Sequence, residues 1–205
     1  MNFSSKLIEE AVQAFSRLPG IGKKSALRLV LFLIRQPVEV TEQYTEALLR
    51  LRKGIKECAK CHNLSDEEWC NICANPRRDT GVICVVESIK DVLAIESTDQ
   101  YRGLYHVLGG IISPIEGVGP NDLHIDSLMH RVQTEDIQEV IMAISPTIEG
   151  ETTIYYLSKK LKPSGVKISA IARGVSFGGE LEYADELTLG RSIVARIPYQ
   201  VKSED

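Results

Sequence analysis

Four of the five cysteines in the chain stand in two pairs with the spacing Cys-x-x-Cys. The first pair is Cys58 and Cys61, the second is Cys70 and Cys73, and eight residues separate the two pairs. A turn of this kind places two thiolates near one point, and two such turns complete the tetrahedral shell of soft ligands that zinc prefers. Because four protein ligands leave no position for water, the pattern predicts one structural Zn²⁺ ion per chain.

Two disulfides, or a redox-active Cys-x-x-Cys pair, are the alternatives for this quartet. Disulfides are rare inside cells, and the first residues lack the layout of a signal peptide, so we expect a cytoplasmic protein with reduced thiols. Two pairs this close together favour a shared metal ion over redox chemistry. We expect His62 to face solvent rather than to replace a ligand, and Cys84, inside an apolar run, to lie in the core.

The charges of the chain are unevenly distributed, although the net charge is only −4. Residues 1–56 carry ten Lys and Arg against five acids, whereas residues 57–205 carry 14 against 23. A polyanion such as DNA would therefore dock at the N-terminal part and be repelled by the remainder. The basic residues could equally be the solvated faces of helices, and charge alone leaves both interpretations open.

Residues 4–35 are predicted to form two amphipathic helices with a glycine-containing bend at residues 18–22. Two glycines let backbone N–H groups approach a ligand closely, and the second helix directs its positive dipole end at the same place. The arrangement resembles a helix–hairpin–helix motif, which grips the sugar-phosphate backbone with little regard to sequence. An ordinary corner between two helices is the alternative. The candidate DNA-binding residues are Gly20, Gly22, Lys23, Lys24 and Arg28.

After a third predicted helix at 41–55 and the cysteine segment, apolar runs alternate with helical stretches from residue 81 onward. The β-branched run at 82–86 is typical of a strand that is buried on both faces. Such alternation predicts a mostly parallel sheet with helices on both sides, followed by a tail with one helix and an edge strand. The further predicted strands cover residues 103–108, 139–144 and 167–172, and the further predicted helices cover residues 89–95, 152–161 and 184–194.

Two strand ends in this α/β region carry acids: Glu87 follows the first strand, and Glu149 and Glu151 follow a later one. The pairing resembles a Toprim domain, the fold of type IA topoisomerases, primases and related nucleases, in which a glutamate and an Asp-x-Asp pair hold Mg²⁺. The two aspartate positions correspond here to Ser145 and Thr147, whose neutral hydroxyls are poor ligands for a divalent ion. The resemblance therefore implies no catalytic residues, and the three glutamates remain as a residual acidic site or a partner-binding surface.

The order of these features is similar, over essentially the whole chain, to the RecR family of bacterial recombination mediators. Besides the bend and the cysteine pairs, the matching stretches are residues 101–110, 146–152 and 178–189. The resemblance implies a multi-domain α + α/β fold. Its expected parts are a helix–hairpin–helix domain (1–56), a C4-type zinc finger (57–80), a Toprim domain with a mostly parallel sheet (81–175) and a short C-terminal helix/strand tail with subunit contacts (176–205).

The same resemblance implies a role in recombinational DNA repair. Family members clamp single- or double-stranded DNA without sequence preference and help RecO, and in some settings RecF, to load the recombinase. They form dimers and ring-like tetramers through which DNA is thought to thread, which would place Lys24 and Arg28 on the inner wall. The Toprim face around Glu149 would then dock RecO, and the protein would be associated with the nucleoid.

Two other functions stay open on the sequence alone. One is a Mg²⁺-dependent Toprim nuclease or topoisomerase-like enzyme that uses Glu87, Glu149 and Glu151 as metal ligands. The other is a zinc-containing adaptor that binds only proteins. The first predicts metal-dependent nicking or relaxation of plasmid DNA, and the second predicts no DNA binding at any salt concentration.

Overall fold

The computed structural model describes residues 5–175, 178 and 180–198. The chain divides into two compact units, residues 1–56 and residues 57–205. Within the predicted tail, residues 176–177, 179 and 199–205 lie outside the described part. Among the described residues, no helix has the length and apolar character that crossing a membrane requires.

The first unit consists of α1 (Lys6–Ser16), α2 (Lys23–Ile34) and α3 (Val38–Gly54). The apolar spacing predicted all three, and α3 begins directly after Pro37 rather than near residue 41. Helices α1 and α2 form a hairpin whose core is small: Val12, Ala26 and Val30 are its buried residues in the described part of the chain. This hairpin therefore holds its shape with few buried groups and leaves most of its surface exposed.

The second unit begins with a two-stranded sheet of β1 (Lys56–Glu57) and β2 (Leu64–Ser65), which brackets the first cysteine pair. A four-stranded parallel sheet follows, formed by β3 (Asp79–Val86), β4 (Gly103–Val107), β5 (Glu139–Ala143) and β6 (Lys167–Ala170). The strand order is β4–β3–β5–β6. The helices of this region are α4 (Ile89–Glu96), α5 (Ile125–Thr134) and α6 (Ile148–Leu161). The predicted fold class is confirmed.

Successive residues of β3 pack on opposite faces of this sheet, as the two-residue period of a strand requires. Ile83 and Val85 belong to a core cluster that includes residues of α5 and α6. Cys84 and Val86 belong to a second cluster, which includes Val92 of α4. The apolar run is thus continuous because both faces are covered, and burial raises the pKa of the Cys84 thiol to about 12.

Helix α6 begins at Ile148, four residues before the predicted start at 152. The hydroxyl of Thr147 accepts a hydrogen bond from the Gly150 N–H at 3.0 Å and so caps the helix. A Cβ on residue 150 would lie 2.0 Å from the carbonyl oxygen of Ser145, so only glycine lets the helix start this close to the strand end. The segment that the sequence placed between strand and helix is therefore the first turn of the helix.

The tail contains the predicted helix as α7 (Glu186–Val194), whose N-cap is Asp185. The Asp185 carboxylate accepts a hydrogen bond from the Thr188 N–H at 2.9 Å, as is usual for a capping aspartate. The predicted edge strand is absent from residues 178 and 180–198, where Pro198 also lacks the N–H that a ladder would need. The last seven residues, 199–205, lie outside the described part.

Candidate nucleic-acid interface and metal centre

The four paired cysteines converge as the spacing predicted. The sulfurs of Cys58, Cys61, Cys70 and Cys73 all lie within 4.8 Å of one another, and the Cys61–Cys70 separation is 3.5 Å. Sulfurs around a tetrahedral zinc ion lie about 3.8 Å apart, given Zn–S bonds of about 2.3 Å. All five cysteines of the chain are in the described part, and none forms a disulfide. The quartet is therefore positioned to bind one zinc ion.

Backbone amides around the quartet support its thiolate form. The Cys70 N–H donates to the Cys58 sulfur at 3.2 Å, and the Cys73 N–H donates to the Cys70 sulfur at 3.5 Å. Side-chain hydrogen bonds among the sulfurs lower the pKa of the Cys70 thiol and raise the pKa values of the Cys61 and Cys73 thiols, so without metal Cys70 is the thiolate that its neighbours' protons stabilise. When bound, the metal cross-links a segment that is too short to form a core of its own.

The bend between α1 and α2 is closed by a hydrogen bond from the Ile21 N–H to the Leu18 carbonyl at 3.2 Å. Gly20 has a φ of +78°, in the left-handed region that favours glycine. Ile21 packs against the small core of the hairpin. Gly20 and Gly22 are exposed, and a Cβ at either position would meet nothing within 4 Å. The outer side of the bend is thus free to receive a ligand.

The first turn of α2 presents unpaired amides beside this bend. Its N-cap is Gly22, which has no side chain to cap the helix, and the first helical hydrogen bond runs from the Ala26 N–H to the Gly22 carbonyl at 2.9 Å. The N–H groups of residues 23–25 therefore have no partner within the helix. Lys23 and Lys24 are exposed here. Free amides, the helix dipole and two ammonium groups together suit a phosphate.

A groove of about 430 Å³ runs along α2 from this end of the helix. Residues four and eleven apart face the same side of a helix, so the cations Lys24, Arg28 and Arg35 share one stripe. Arg35 was not among the residues singled out from the sequence, although its spacing from Lys24 could have revealed it. The groove is lined by Lys24, Leu27, Arg28, Leu31, Phe32 and Arg35.

Two of the three acids of the Toprim-like region, Glu87 and Glu151, have partners within the protein. Glu87 accepts a hydrogen bond from the Ser145 N–H at 2.5 Å, and Glu151 forms an ion pair with Arg173. Glu149 lies half-buried in the first turn of α6. Within the part of the chain that the structure describes, Glu87, Glu149 and Glu151 do not form a group whose oxygens converge within 4.8 Å.

Sequence models of protein families match four consecutive parts of the chain. A RecR helix-hairpin-helix model matches residues 8–51, and a model of the four-cysteine zinc finger domain of RecR matches residues 55–75. A Toprim domain model matches residues 81–172, and a RecR C-terminal model matches residues 174–197. These matches agree with the helical hairpin, the cysteine quartet and the parallel sheet of the structure.

Relatives named "Recombination protein RecR" are similar to the chain over nearly its whole length. The protein from Amoebophilus asiaticus is 61% identical over 199 residues, which cover 97% of this chain and 100% of the relative. The protein from Porphyromonas gingivalis is 59% identical over 197 residues, covering 96% and 95%. The protein from Cytophaga hutchinsonii is 55% identical over all 205 residues of both chains. With this identity and coverage, the chain belongs to the RecR family.

Proposed function

We propose that this chain is a non-catalytic DNA-binding mediator of recombinational DNA repair. Its relatives carry the name of a recombination protein, and its N-terminal unit matches a helix-hairpin-helix model. In this role it clamps DNA in the cytoplasm at the nucleoid and helps RecO and RecF to load the recombinase. The chain is divided into four parts, residues 1–56, 57–80, 81–175 and 176–205. In this proposal the first part contacts DNA, and the third part contacts the partner proteins.

The observation that carries the proposal is the exposed bend with its unpaired amides and aligned cations. Gly20, Gly22, Lys23, Lys24 and Arg28 are all exposed, so each can reach a phosphate oxygen without rearrangement of the hairpin core. Phosphate contacts of this kind carry no sequence information, and they weaken as salt rises. We therefore expect binding to single- and double-stranded DNA with little sequence preference.

The absence of catalysis is proposed from the residues at the strand ends of the Toprim sheet. Mg²⁺ requires several oxygens in near-octahedral arrangement, and Ser145 and Thr147 stand where the resemblance expects aspartates. The Thr147 hydroxyl caps α6, and the Glu87 carboxylate accepts from the Ser145 N–H. A Mg²⁺-dependent nuclease or topoisomerase-like enzyme is the second candidate function, because Glu87, Glu149 and Glu151 still offer carboxylates near the strand ends.

Self-association is proposed from α3. Its apolar residues Tyr44, Leu48 and Leu51 recur at helical spacing, and each is about half exposed, at 46%, 49% and 57%. An apolar stripe of this kind suits an interface between copies of the chain, in the dimers and tetrameric rings expected of the family. A ring would hold DNA topologically, which strengthens retention beyond the contacts of one chain.

The test is a comparison of two double variants in DNA binding. Lys24→Glu with Arg28→Glu reverses two charges in the groove of α2, and Lys90→Glu with Lys162→Glu reverses two exposed charges of the second unit. Fluorescence anisotropy with labelled single- and double-stranded oligonucleotides should show at least about tenfold weaker binding for the first variant, because phosphate contacts dominate affinity. The second variant should bind as the wild type does. Equal affinity of the wild type and the groove variant would contradict the proposal.

A further inference from the structure

An exposed aromatic side chain lies among the cations of the α2 groove, and the proposed function does not use it. Phe32 is 58% exposed and lines the groove together with Lys24, Arg28 and Arg35. Residues four apart face the same side of a helix, so Phe32 continues the stripe that begins with Lys24 and Arg28. The ring therefore stands where a strand held by those cations would pass.

The position of Phe32 on α2 gives it no part in the core of the hairpin. Ala26 and Val30 are the residues of α2 that are buried in that core. Phe32 follows Val30 by two residues, which turn a helix by about 200°, so its side chain faces away from the core. Phe15 of α1, in contrast, packs against the core. The ring of Phe32 is thus available at the surface and is not needed to hold the hairpin together.

The groove combines apolar groups with cations. Single exposed apolar residues are common on proteins, but here Leu27, Leu31 and Phe32 line one groove with the three cations, and Leu31 is 42% exposed. A surface of this composition suits a ligand that has both anionic and flat apolar parts. A nucleic-acid strand with unpaired bases has both, because its phosphates are charged and its base faces are free to stack.

Single-stranded and double-stranded DNA would use this groove differently. A duplex offers its phosphates, whereas its bases are already stacked on one another inside the helix. An unpaired base can turn onto an aromatic ring, and every base can do so because each has a flat π-face. Arg28 precedes Phe32 by about 6 Å along the helix axis and Arg35 follows it by about 4.5 Å. Cations thus lie on both sides of the ring, where they can bind the phosphates that flank a stacked base.

We propose that Phe32 is a stacking platform for an unpaired base and raises the affinity of the α2 groove for single-stranded DNA. The inference rests on the proposed DNA-binding function and adds to it a residue that distinguishes the two forms of DNA. Lys24, Arg28 and Arg35 bind the phosphates of either form, and Phe32 contributes only where a base is free to stack. The groove therefore selects the conformation of the strand and not its sequence.

The test is a pair of affinities for each variant of the full-length protein, measured by fluorescence anisotropy at one salt concentration. The probes are a labelled oligodeoxythymidine strand, which does not pair with itself, and a labelled blunt duplex of the same length. Phe32→Ala should weaken binding to the single strand at least about fivefold, the lower end of the effect of one stacked base. Its affinity for the duplex should equal that of the wild type, because the phosphate contacts remain.

Leu31→Ala is the matched control, because Leu31 is an exposed apolar residue of the same groove without a ring on which a base can stack. It should bind both probes as the wild type does. Phe32→Tyr keeps the ring and should retain the affinity for the single strand, whereas Phe32→Leu keeps only the apolar bulk and should lose it. The salt dependence of single-strand binding should be unchanged in Phe32→Ala, because the ring carries no charge.

Equal affinity of the wild type and Phe32→Ala for the single strand would overturn the stacking role. An equal loss for both probes would also overturn it, because the change would then act on the groove as a whole. A smaller oligomer of Phe32→Ala in light scattering would assign the ring to a contact between subunits and overturn it as well.

The proposed function fails separately from this inference. Normal binding of both probes by the variant with Lys24→Glu and Arg28→Glu would contradict the function itself. Weaker binding of both probes by that variant, together with no effect of Phe32→Ala, would contradict the stacking role alone.

Discussion

The helical hairpin of the first unit and the parallel sheet of the second differ in where they keep their polar groups. The hairpin buries three residues, whereas one face of the sheet buries 13, counted over the described part of the chain. The hairpin leaves the amides of residues 23–25 without partners in the helix and exposes the cations Lys23, Lys24 and Arg28. In the sheet, Glu87 and Glu151 are bonded to Ser145 and Arg173.

This difference shows that the groups that stabilise the fold are not the groups that are available to bind a ligand. The large core and the metal make the second unit a firm scaffold, while the small core of the hairpin suffices to present a bend whose backbone a ligand can approach. The stability of the Toprim sheet thus comes from the packing of its two faces and does not depend on the acids at its strand ends.

Loss of the quartet's zinc should have the largest effect, and it should be confined to the second unit. Metal binding supplies about 10–16 kcal/mol in small zinc-dependent folds, so Cys70→Ser should abolish protection of the amides of residues 56–75 in hydrogen exchange. The amides of α1 and α2 should keep their protection. Cys84→Ala is the control, because Cys84 lies in the sheet core and outside the quartet. Unchanged exchange in Cys70→Ser would contradict a structural role for the metal.

The same Val→Ala substitution should lower the free energy of unfolding more in the core of the sheet than in the core of the hairpin. Val85 is fully buried in the large core, and Val30 is 4% exposed in the small one. Removing two buried methyl groups loses about 1.6 kcal/mol of transfer free energy, and a rigid surrounding adds the cost of a cavity. We expect Val85→Ala to lower the free energy of unfolding by about 2–3 kcal/mol, and Val30→Ala by about 1–2 kcal/mol, in urea denaturation followed by hydrogen exchange. Equal losses would mean that the two cores are packed alike.

An ion pair within the second unit should make its stability depend on pH. Hydrogen bonds from Arg78 and Tyr105 hold the pKa of the Glu96 carboxyl below its ordinary 4.5, the Arg78 contact being the stronger cause. The stabilisation is therefore present above pH 4.5 and is lost as the pH falls through the lowered pKa. Glu96→Gln should reduce the free energy of unfolding at about pH 7 by about 1–2 kcal/mol and flatten its decline in acid.

Denaturation curves of the second unit at a series of pH values check this prediction. Glu116→Gln, which changes an exposed glutamate in a loop, is the matched control and should leave the curves as they are. If the free energy of unfolding declines in acid as steeply in Glu96→Gln as in the wild type, the ion pair of Glu96 is not the cause of that decline.

The smallest expected effect concerns the acids at the strand ends, Glu87, Glu149 and Glu151. Supercoiled plasmid incubated with the protein and Mg²⁺ or Mn²⁺ should stay intact, and Glu87→Gln should behave as the wild type does. Gel electrophoresis provides the measurement. Nicking or relaxation that disappears in Glu87→Gln would favour the nuclease or topoisomerase-like alternative. The sheet would then also offer groups to a ligand, as the hairpin does.

The sequence predicted those features that depend on local pattern. The apolar run at 82–86 became the end of β3, and the cysteine spacing gave a convergent quartet. Helix α5 was not predicted, because its buried face includes Arg131, which breaks the apolar period. The Arg131 guanidinium donates to the Tyr105 carbonyl at 2.8 Å, a contact between distant parts of the chain that no local pattern reveals.

The prediction that His62 faces solvent was wrong, again because a contact between distant parts of the chain decides its position. Its side chain is only 15% exposed, because it stacks on His124, which lies far along the chain. The early start of α6 has a local cause, the cap by Thr147, but it also depends on the approach of Gly150 to Ser145. Patterns along the chain thus predicted elements and ligand spacing, whereas contacts between elements had to come from the structure.

The central claim, that the α2 groove holds the DNA backbone, is tested most directly by the salt dependence of affinity. The slope of log affinity against log salt concentration reports the number of phosphates that the protein neutralises, at about 0.9 per contact on duplex DNA. Lys24→Ala with Arg28→Ala should make that slope shallower by about 1.8. An unchanged slope would contradict the claim, because the phosphate contacts would then lie elsewhere on the protein.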